Sequence, residues 1–386
     1  MVKRLLMVGA LLLLAHGLKG AAEEIGEFDI SNATASLIPA GQSEPSEYPS
    51  RLSSLILPLP PLVLPDLLLP PYNFPSFESE RLDQELQLYL QYLRTHGKPD
   101  ILIMGSSRSL QGIDPAALET ALAEQGYANL KVYNFGINGA TAQVMNLLVQ
   151  EILTPEQLPR LIIWGDGSRA FNSGRPDRTY QQIVTSPGYQ RLASGDRPIP
   201  ARTTDWEIPT FVTTANKELA NSAVAAVAET AIETDLTPQG FQVVTDEYDP
   251  VRYFQQFPRV PGDYDADYDN FSLLGEQISA TVNLANFAKQ HGITLVFVNL
   301  PLTDDYLDAI RRSYESQFQR HMWQIANQQG FLFRDLSRVP DLIKNNYFAD
   351  PSHINQHGAR AVAFHLAQDQ TLPWWVVANR TSPTER

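Results

Sequence analysis

A chain of 386 residues, 43% of them hydrophobic, is long enough to build one large core or two small ones. Its formal net charge of -14 repels phosphate backbones, which argues against nucleic acid as a partner. It has no cysteine, so disulfides, thiolate metal sites and cysteine nucleophiles are excluded.

The N-terminus places Lys3 and Arg4 ahead of an apolar run from Leu5 to Leu14, followed by Gly20, Ala21 and Ala22. This is the layout of a secretory signal peptide over residues 1–22. The run is short for a membrane span of ~20 residues. An uncleaved interfacial anchor is the alternative. The expected location is therefore outside the cytoplasm, either periplasmic or anchored facing the periplasm. Residues 23–78 form a polar linker and then a Pro-rich apolar arm, SSLILPLPPLVLPDLLLPPYNFP. A proline in a helix interior costs ~3 kcal/mol, so this arm is not a membrane helix.

Regular structure is expected from residue 79 to residue 370, with a tail over 371–386. ERLDQELQLYLQYLRTHG carries Leu82, Leu86, Leu88, Leu90 and Leu93 at mainly helical spacing and stops at Gly97. DILIMG is a buried strand, DPAALETALAEQG a helix with Pro in its first turn, and LKVYNFG a second strand. TAQVMNLLVQEIL is a helix and RLIIWGD a third strand. After residues 172–270, the pattern resumes with SLLGEQISATVNLANFAKQHG as helix and ITLVFVNLP as strand. TDDYLDAIRRSYESQFQRHMWQIANQQG, from residue 303 to Gly330, is a long helix, FLFRDLS is a strand, and QHGARAVAFHLAQ closes the series as a helix. Short apolar strands alternating with amphipathic helices predict an α/β fold, three-layer α/β/α, with a central parallel sheet of about five strands.

Residues 172–270 form a large insertion after the third strand. It contains a small-residue helical pattern, ELANSAVAAVAETAIE, and an acidic run, DYDADYDNF, which lacks the glycine and terminal glutamate of an EF-hand loop.

In a parallel sheet, the carboxyl ends of all strands face one edge, and ligands bind there. The first strand runs into Gly105, Ser106, Ser107 and Arg108. The second ends in NFGINGAT with Gly136 and Gly139, and the third in WGDGSRAFN with Asp166, Ser168, Arg169 and Asn172. After the last strand comes DPSHINQHG, with Asp350 and His353 three apart. Taken singly, each piece has a bland alternative: an N-cap serine, a turn glycine, a polar loop, a capped helix start. Together they bring a serine, a histidine and a carboxylate to one edge, which is the composition of a catalytic triad. Neither His321, His357 nor His365 has the neighbours of a metal ligand, so no metal and no cofactor are expected.

Gly-Ser-Ser at 105–107, NFGINGAT and DPSHINQHG together resemble the SGNH (GDSL-like) hydrolase superfamily over about residues 98–368, apart from the insertion. The chain also resembles the exported branch containing D-alanyl transfer and alginate O-acetylation proteins. In Gly-Ser-Ser-Arg, the Pro-rich arm and RAFNSGRPD it resembles an uncharacterised cyanobacterial family labelled DUF1574. The resemblance implies a flavodoxin-like fold with Ser107 as nucleophile, His353 as base, Asp350 as its partner and Gly139 as oxyanion donor. Ser106 stands where the superfamily has Asp. Its Asn donor has no counterpart at the aligned position; Ser168, which is nearest, and Asn172, four residues on, are the candidates to bind the oxyanion or substrate instead. Arg108 and Arg169 are candidate contacts for a carboxylate or an anionic carbohydrate, or surface ion-pair partners. The implied activity is that of a serine esterase or O-acyltransferase acting on an acyl ester of a cell-envelope glycan, with a possible membrane-associated envelope partner. The competing reading is a non-catalytic module that binds glycan or a partner.

Overall fold

The structure is a computed structural model that describes residues 74–197, 199–200, 235–260 and 266–378. The expected signal segment, most of the Pro-rich arm, the small-residue helix of the insertion, the start of the Tyr/Asp run and the last tail residues lie outside the described residues.

Five strands form the core sheet: β1 (Ile101–Gly105), β2 (Val132–Gly136), β3 (Leu161–Asp166), β4 (Thr294–Asn299) and β5 (Leu332–Asp335). Their order is β2-β1-β3-β4-β5 and every pairing is parallel. Strands buried on both faces need apolar residues at nearly every position, and ILIMG, VYNFG and LIIWGD supply them. The helices in chain order are α1 (Glu80–His96), α2 (Ser107–Gly112), α3 (Pro115–Glu124), α4 (Ala142–Leu147), α5 (Arg178–Val184), α6 (Pro187–Ala193), α7 (Pro250–Gln256), α8 (Glu276–Gln290), α9 (Ala309–Gln329), α10 (Gln356–Gln368) and α11 (Trp375–Ala378).

Alternate strand residues point to opposite faces, and the two faces have separate cores. Leu102, Met104, Phe135, Trp164 and Phe297 pack with Leu86 of α1, Met145 of α4, Leu284 of α8 and Phe318 of α9. Ile101, Ile103, Val132, Ile163 and Val298 pack with Leu118 of α3 and Val362 and Leu366 of α10. This is the three-layer α/β/α arrangement expected from the alternating pattern.

The boundaries differ from expectation in three places. The helix after β1 is a separate six-residue element, α2, and its lack of a full amphipathic period hid it. The helix before β5 begins at Ala309 instead of residue 303, because Asp308 caps it by accepting from Arg311 N at 2.8 Å. The helix after β2 loosens after Leu147 into a π-helical turn, Leu148–Ile152.

The described parts of the insertion serve the sheet. Asn134 N of β2 donates to Gln239 O at 2.9 Å, and Gln239 Nε2 donates to Val132 O at 3.1 Å. The edge strand β2 thereby has its free backbone groups covered. Gly240 makes this approach possible: a Cβ there would lie 2.1 Å from Asn134 O. Further on, Tyr248 N donates to Phe348 O at 2.7 Å, and Gln356 N to Val244 O at 2.8 Å. The insertion thus braces the loop that precedes α10.

Candidate active site

The register aligns Gly105 with Gly136 on one side and with Gly165 on the other. The backbones are so close that a Cβ on Gly105 would stand 2.0 Å from Gly165 O, and its φ of +148° also suits glycine alone. The chain then turns sharply into α2. Ser106 is the N-cap, its Oγ accepting from Arg108 N at 3.3 Å. Ser107, the first helical residue, is left with a half-buried hydroxyl facing the sheet edge. The two serines therefore have different tasks.

Ser107 Oγ lies 3.0 Å from His353 Nε2, across 246 residues of sequence. On the other side of the ring, Nδ1 lies 2.7 Å from Asp350 Oδ2. With Nδ1 protonated toward the carboxylate, Nε2 is free to accept from the serine. Burial alone would raise the Asp350 carboxyl. The hydrogen bond and charge of His353, with the N–H groups of Ser352 and His353, outweigh it and hold the carboxyl at about 2. Those N–H groups reach Asp350 Oδ1 at 2.7 and 2.9 Å.

The spacing of DPSHINQHG has a local cause. Asn355 caps α10, accepting from His357 N at 3.0 Å and Gly358 N at 3.1 Å. Its amide donates to the carbonyls of Asp246, Asn346 and Phe348. Gly358 lets α10 pass Tyr347, since a Cβ would lie 2.2 Å from Tyr347 O. The Asp350–His353 turn is thus clamped at both ends.

Ser107 and His353 open on a cleft of about 510 Å³, which Gly139 also lines. Gly139 has φ +70°, a left-handed conformation that places it in the turn after β2. Among the described residues, no protein acceptor takes up the N–H of Ser107 or of Gly139. Both therefore remain available to a developing oxyanion.

The structure separates the other expected residues. Arg169 lines the cleft, 3.9 Å from Asp267 and over the ring of Tyr306. Arg108 does not line it and is not a surface ion-pair partner either. It is buried and donates from Nη2 to Leu300 O at 2.6 Å and Pro301 O at 3.1 Å, riveting α2 to the end of β4. Ser168 is also turned inward, because a 3-10 turn, Ser168–Phe171, aims its hydroxyl at Glu315 Oε1, 2.5 Å away. Asn172 is buried as well. Its amide donates to Asp267 O and Asp269 O at 2.9 and 3.0 Å, and its Oδ1 accepts from Gly174 N and Ser272 N. Neither Ser168 nor Asn172 offers a donor to the Ser107 hydroxyl.

Asp166 was noted as part of a polar strand end but not as a site residue, and it belongs to the site. Its Oδ2 accepts from Ser106 N and its Oδ1 from Ser106 Oγ and Gly167 N, all at 3.0 Å. Burial raises its carboxyl to about 6, against the lowering influence of Arg108 and these donors. The signal was present in the register: if Gly165 pairs with Gly105, Asp166 must stand beside Ser106. Arg175, Arg178 and Asp267, from the insertion, also line the cleft. Among the described residues, no group of three or more His, Asp or Glu is placed to hold a metal ion, and no helix is long and apolar enough to cross a membrane.

No family model and no curated protein match the chain. Among solved structures, a gut microbial diltiazem-metabolizing enzyme is similar at 11% identity and a TM-score of 0.35, covering 70% of this chain. The chain spans about half of that enzyme, 47% of its length. A Bacteroides fragilis protein provisionally described as an acylhydrolase is similar at 10% identity and a TM-score of 0.31, covering 75% of this chain and 93% of its own.

Proposed function

We propose that this chain is a serine-dependent acyl-ester hydrolase or O-acyltransferase of the SGNH type. The observation that carries the reading is the continuous hydrogen-bonded relay from Ser107 Oγ through His353 to Asp350. His353 Nε2 takes the hydroxyl proton as Ser107 Oγ bonds to the ester carbonyl carbon. The carbonyl oxygen becomes an oxyanion facing the N–H groups of Ser107 and Gly139. Asp350 stabilises the imidazolium, which then gives its proton to the departing alcohol. Water or a sugar hydroxyl attacks the acyl-enzyme in the second half, with His353 again as base, and restores Ser107. The signal-like N-terminus supports an exported protein, and with it an ester of a cell-envelope glycan as substrate.

A second reading, a non-catalytic binding module, is favoured by one observation: neither Ser168 nor Asn172 presents a donor at the end of β3. Labelling with a fluorescent fluorophosphonate, beside aryl acetate hydrolysis, decides between them. The proposal expects labelling and turnover of the wild type and loss of both in Ser107→Ala and His353→Ala. Labelling that survives in Ser107→Ala overturns it.

A further inference from the structure

We infer that the hydroxyl of Thr179 is a third donor to the oxyanion, beside the N–H groups of Ser107 and Gly139; the inference rests on the reaction proposed above. Thr179 belongs to α5, inside the insertion, and lines the cleft with Ser107, Gly139 and His353. Its Oγ1 lies 2.9 Å from the point where a Cβ on Gly139 would stand. Apart from Gly139 and its chain neighbours, no other heavy atom among the described residues comes within 4 Å of that point. The bare Cα of Gly139 thus leaves a gap that the Thr179 hydroxyl borders. That hydroxyl is unspent. Thr95, Thr120 and Thr281, on other helices, each donate to the carbonyl four residues back. For Thr179 that carbonyl belongs to Arg175, ahead of the helix, and among the described residues Thr179 Oγ1 has no hydrogen-bond partner. Nor is it one of the buried unpartnered polar atoms, so it faces open space. The other hydroxyl and amide groups near the strand ends are committed: Ser106 to Asp166, Ser168 to Glu315, Asn172 to Asp267 and Asp269. A free O–H beside a free N–H, both facing the cleft that holds Ser107, can share a developing negative charge.

A separate set of contacts holds the hydroxyl in place. Asp177, two residues before Thr179, caps α5, its Oδ1 accepting from Tyr180 N at 3.0 Å. Its Oδ2 accepts from the hydroxyl of Thr141, two residues after Gly139. Gln277 of α8, which is buried, donates to the same oxygen at 2.9 Å and accepts from Gln143 N at 3.0 Å. One carboxylate therefore joins the start of α5 to the turn after β2. Gly139 and Thr179 stand two residues to either side of that joint, so their separation is fixed before a substrate arrives. Asp177 acts as a positioning residue, and Thr179 as the group that touches the substrate.

The test compares wild type, Thr179→Val and Thr179→Ser in aryl acetate hydrolysis and in the rate of labelling by a fluorescent fluorophosphonate. In the labelling step Ser107 Oγ bonds to phosphorus, fluoride leaves and the hydroxyl proton passes to His353, while the phosphoryl oxygen takes the place of the oxyanion. Valine keeps the shape of the side chain and removes the donor. Thr179→Val is expected to lower kcat and the labelling rate by about 10²-fold with KM little changed. Thr179→Ser is expected to keep most of both. Removing a hydroxyl without a partner breaks no internal hydrogen bond, so the urea midpoint of Thr179→Val is expected to match the wild type. Thr179→Ala repeats the comparison without the second methyl group. An unchanged kcat, a rise in KM alone, or a Thr179→Ser protein as slow as Thr179→Val overturns the inference. The two ideas fail in different ways. A wild type with neither turnover nor labelling sinks the proposed reaction and this donor with it; an active wild type beside an equally active Thr179→Val sinks the donor alone.

Discussion

Asp166→Asn tests how the Ser106–Ser107 turn is held. A rise of the Asp166 carboxyl from 3.8 to about 6 means that the folded protein disfavours its ionised form. The difference corresponds to about 3 kcal/mol. Because the folded value lies above the unfolded one, this stabilisation is fully present below pH ~4 and is lost as pH rises through ~6. Asparagine does not titrate, so the variant lacks this loss. It has a different defect. Three donors, Ser106 N, Ser106 Oγ and Gly167 N, converge on the two carboxylate oxygens. An amide has one oxygen, so either orientation leaves one buried N–H facing an NH₂ group, at a cost of about 1–3 kcal/mol independent of pH.

The two contributions predict a crossover. At pH 4 the variant is less stable than the wild type; by pH 8 it equals or exceeds it. Urea unfolding of both proteins across this range measures the difference. About 3 kcal/mol moves the midpoint by roughly 1 M if m is near 3 kcal/mol/M. Buried carboxyls elsewhere, Glu315 among them, cancel because both proteins carry them. Catalysis need not follow stability: a shifted Ser106 displaces Ser107, and a misplacement of 1 Å costs about 10²-fold in rate. A stability deficit of constant size at both pH values, or a wild type that gains on the variant as pH rises, refutes the reasoning.

Two other substitutions probe the same scaffold. Asp350→Asn removes the carboxylate that fixes the Nδ1 proton of His353, 2.7 Å away, and kcat is expected to fall by about 10⁴-fold; steady-state ester hydrolysis showing a loss under tenfold refutes that role. Gly136→Ala forces a Cβ to within 2.5–2.7 Å of Leu110 in α2. It is expected to destabilise the fold by about 1–3 kcal/mol in thermal or urea unfolding. It should also lower kcat more than it changes KM, since α2 carries Ser107.

The sheet was legible because each strand is an apolar run of a few residues between helix stops such as Gly97, Gly126 and Gly330. Ser107, His353 and Asp350 were legible because a parallel sheet sends all its strand ends to one edge. Other assignments failed for physical reasons. The six residues of α2 are too few to show which face is buried, so Arg108 looked available to solvent or substrate. Counting forward from β3 cannot reveal the 3-10 turn that rotates Ser168 toward Glu315, a partner 147 residues away. Asn172 seemed a donor to substrate, but its acceptors are backbone carbonyls 95 and 97 residues on, inside an insertion with no periodicity to announce them.

The serine at 106 has a physical reading in the structure. A carboxylate stands against the turn, and it arrives from β3. Asp166 receives both the N–H and the hydroxyl of Ser106, and Ser106 in turn caps the helix that carries Ser107. Carboxylate, cap and Ser107 thus form one chain of contacts, closed from below by Arg108, which joins α2 to Leu300 and Pro301. Such an arrangement needs both members at once. An aspartate at 106 would set a second carboxylate against Asp166 in a buried site, where like charges strongly disfavour joint ionisation. Ser106→Asp should therefore disrupt the turn while Asp166 is present, and a double change, Ser106→Asp with Asp166→Asn, should recover part of the lost rate. Recovery of the double variant above Ser106→Asp alone, measured as ester hydrolysis at equal folded fraction, is the signature of one shared carboxylate position. Equal rates for the two would mean that residues 106 and 166 act independently.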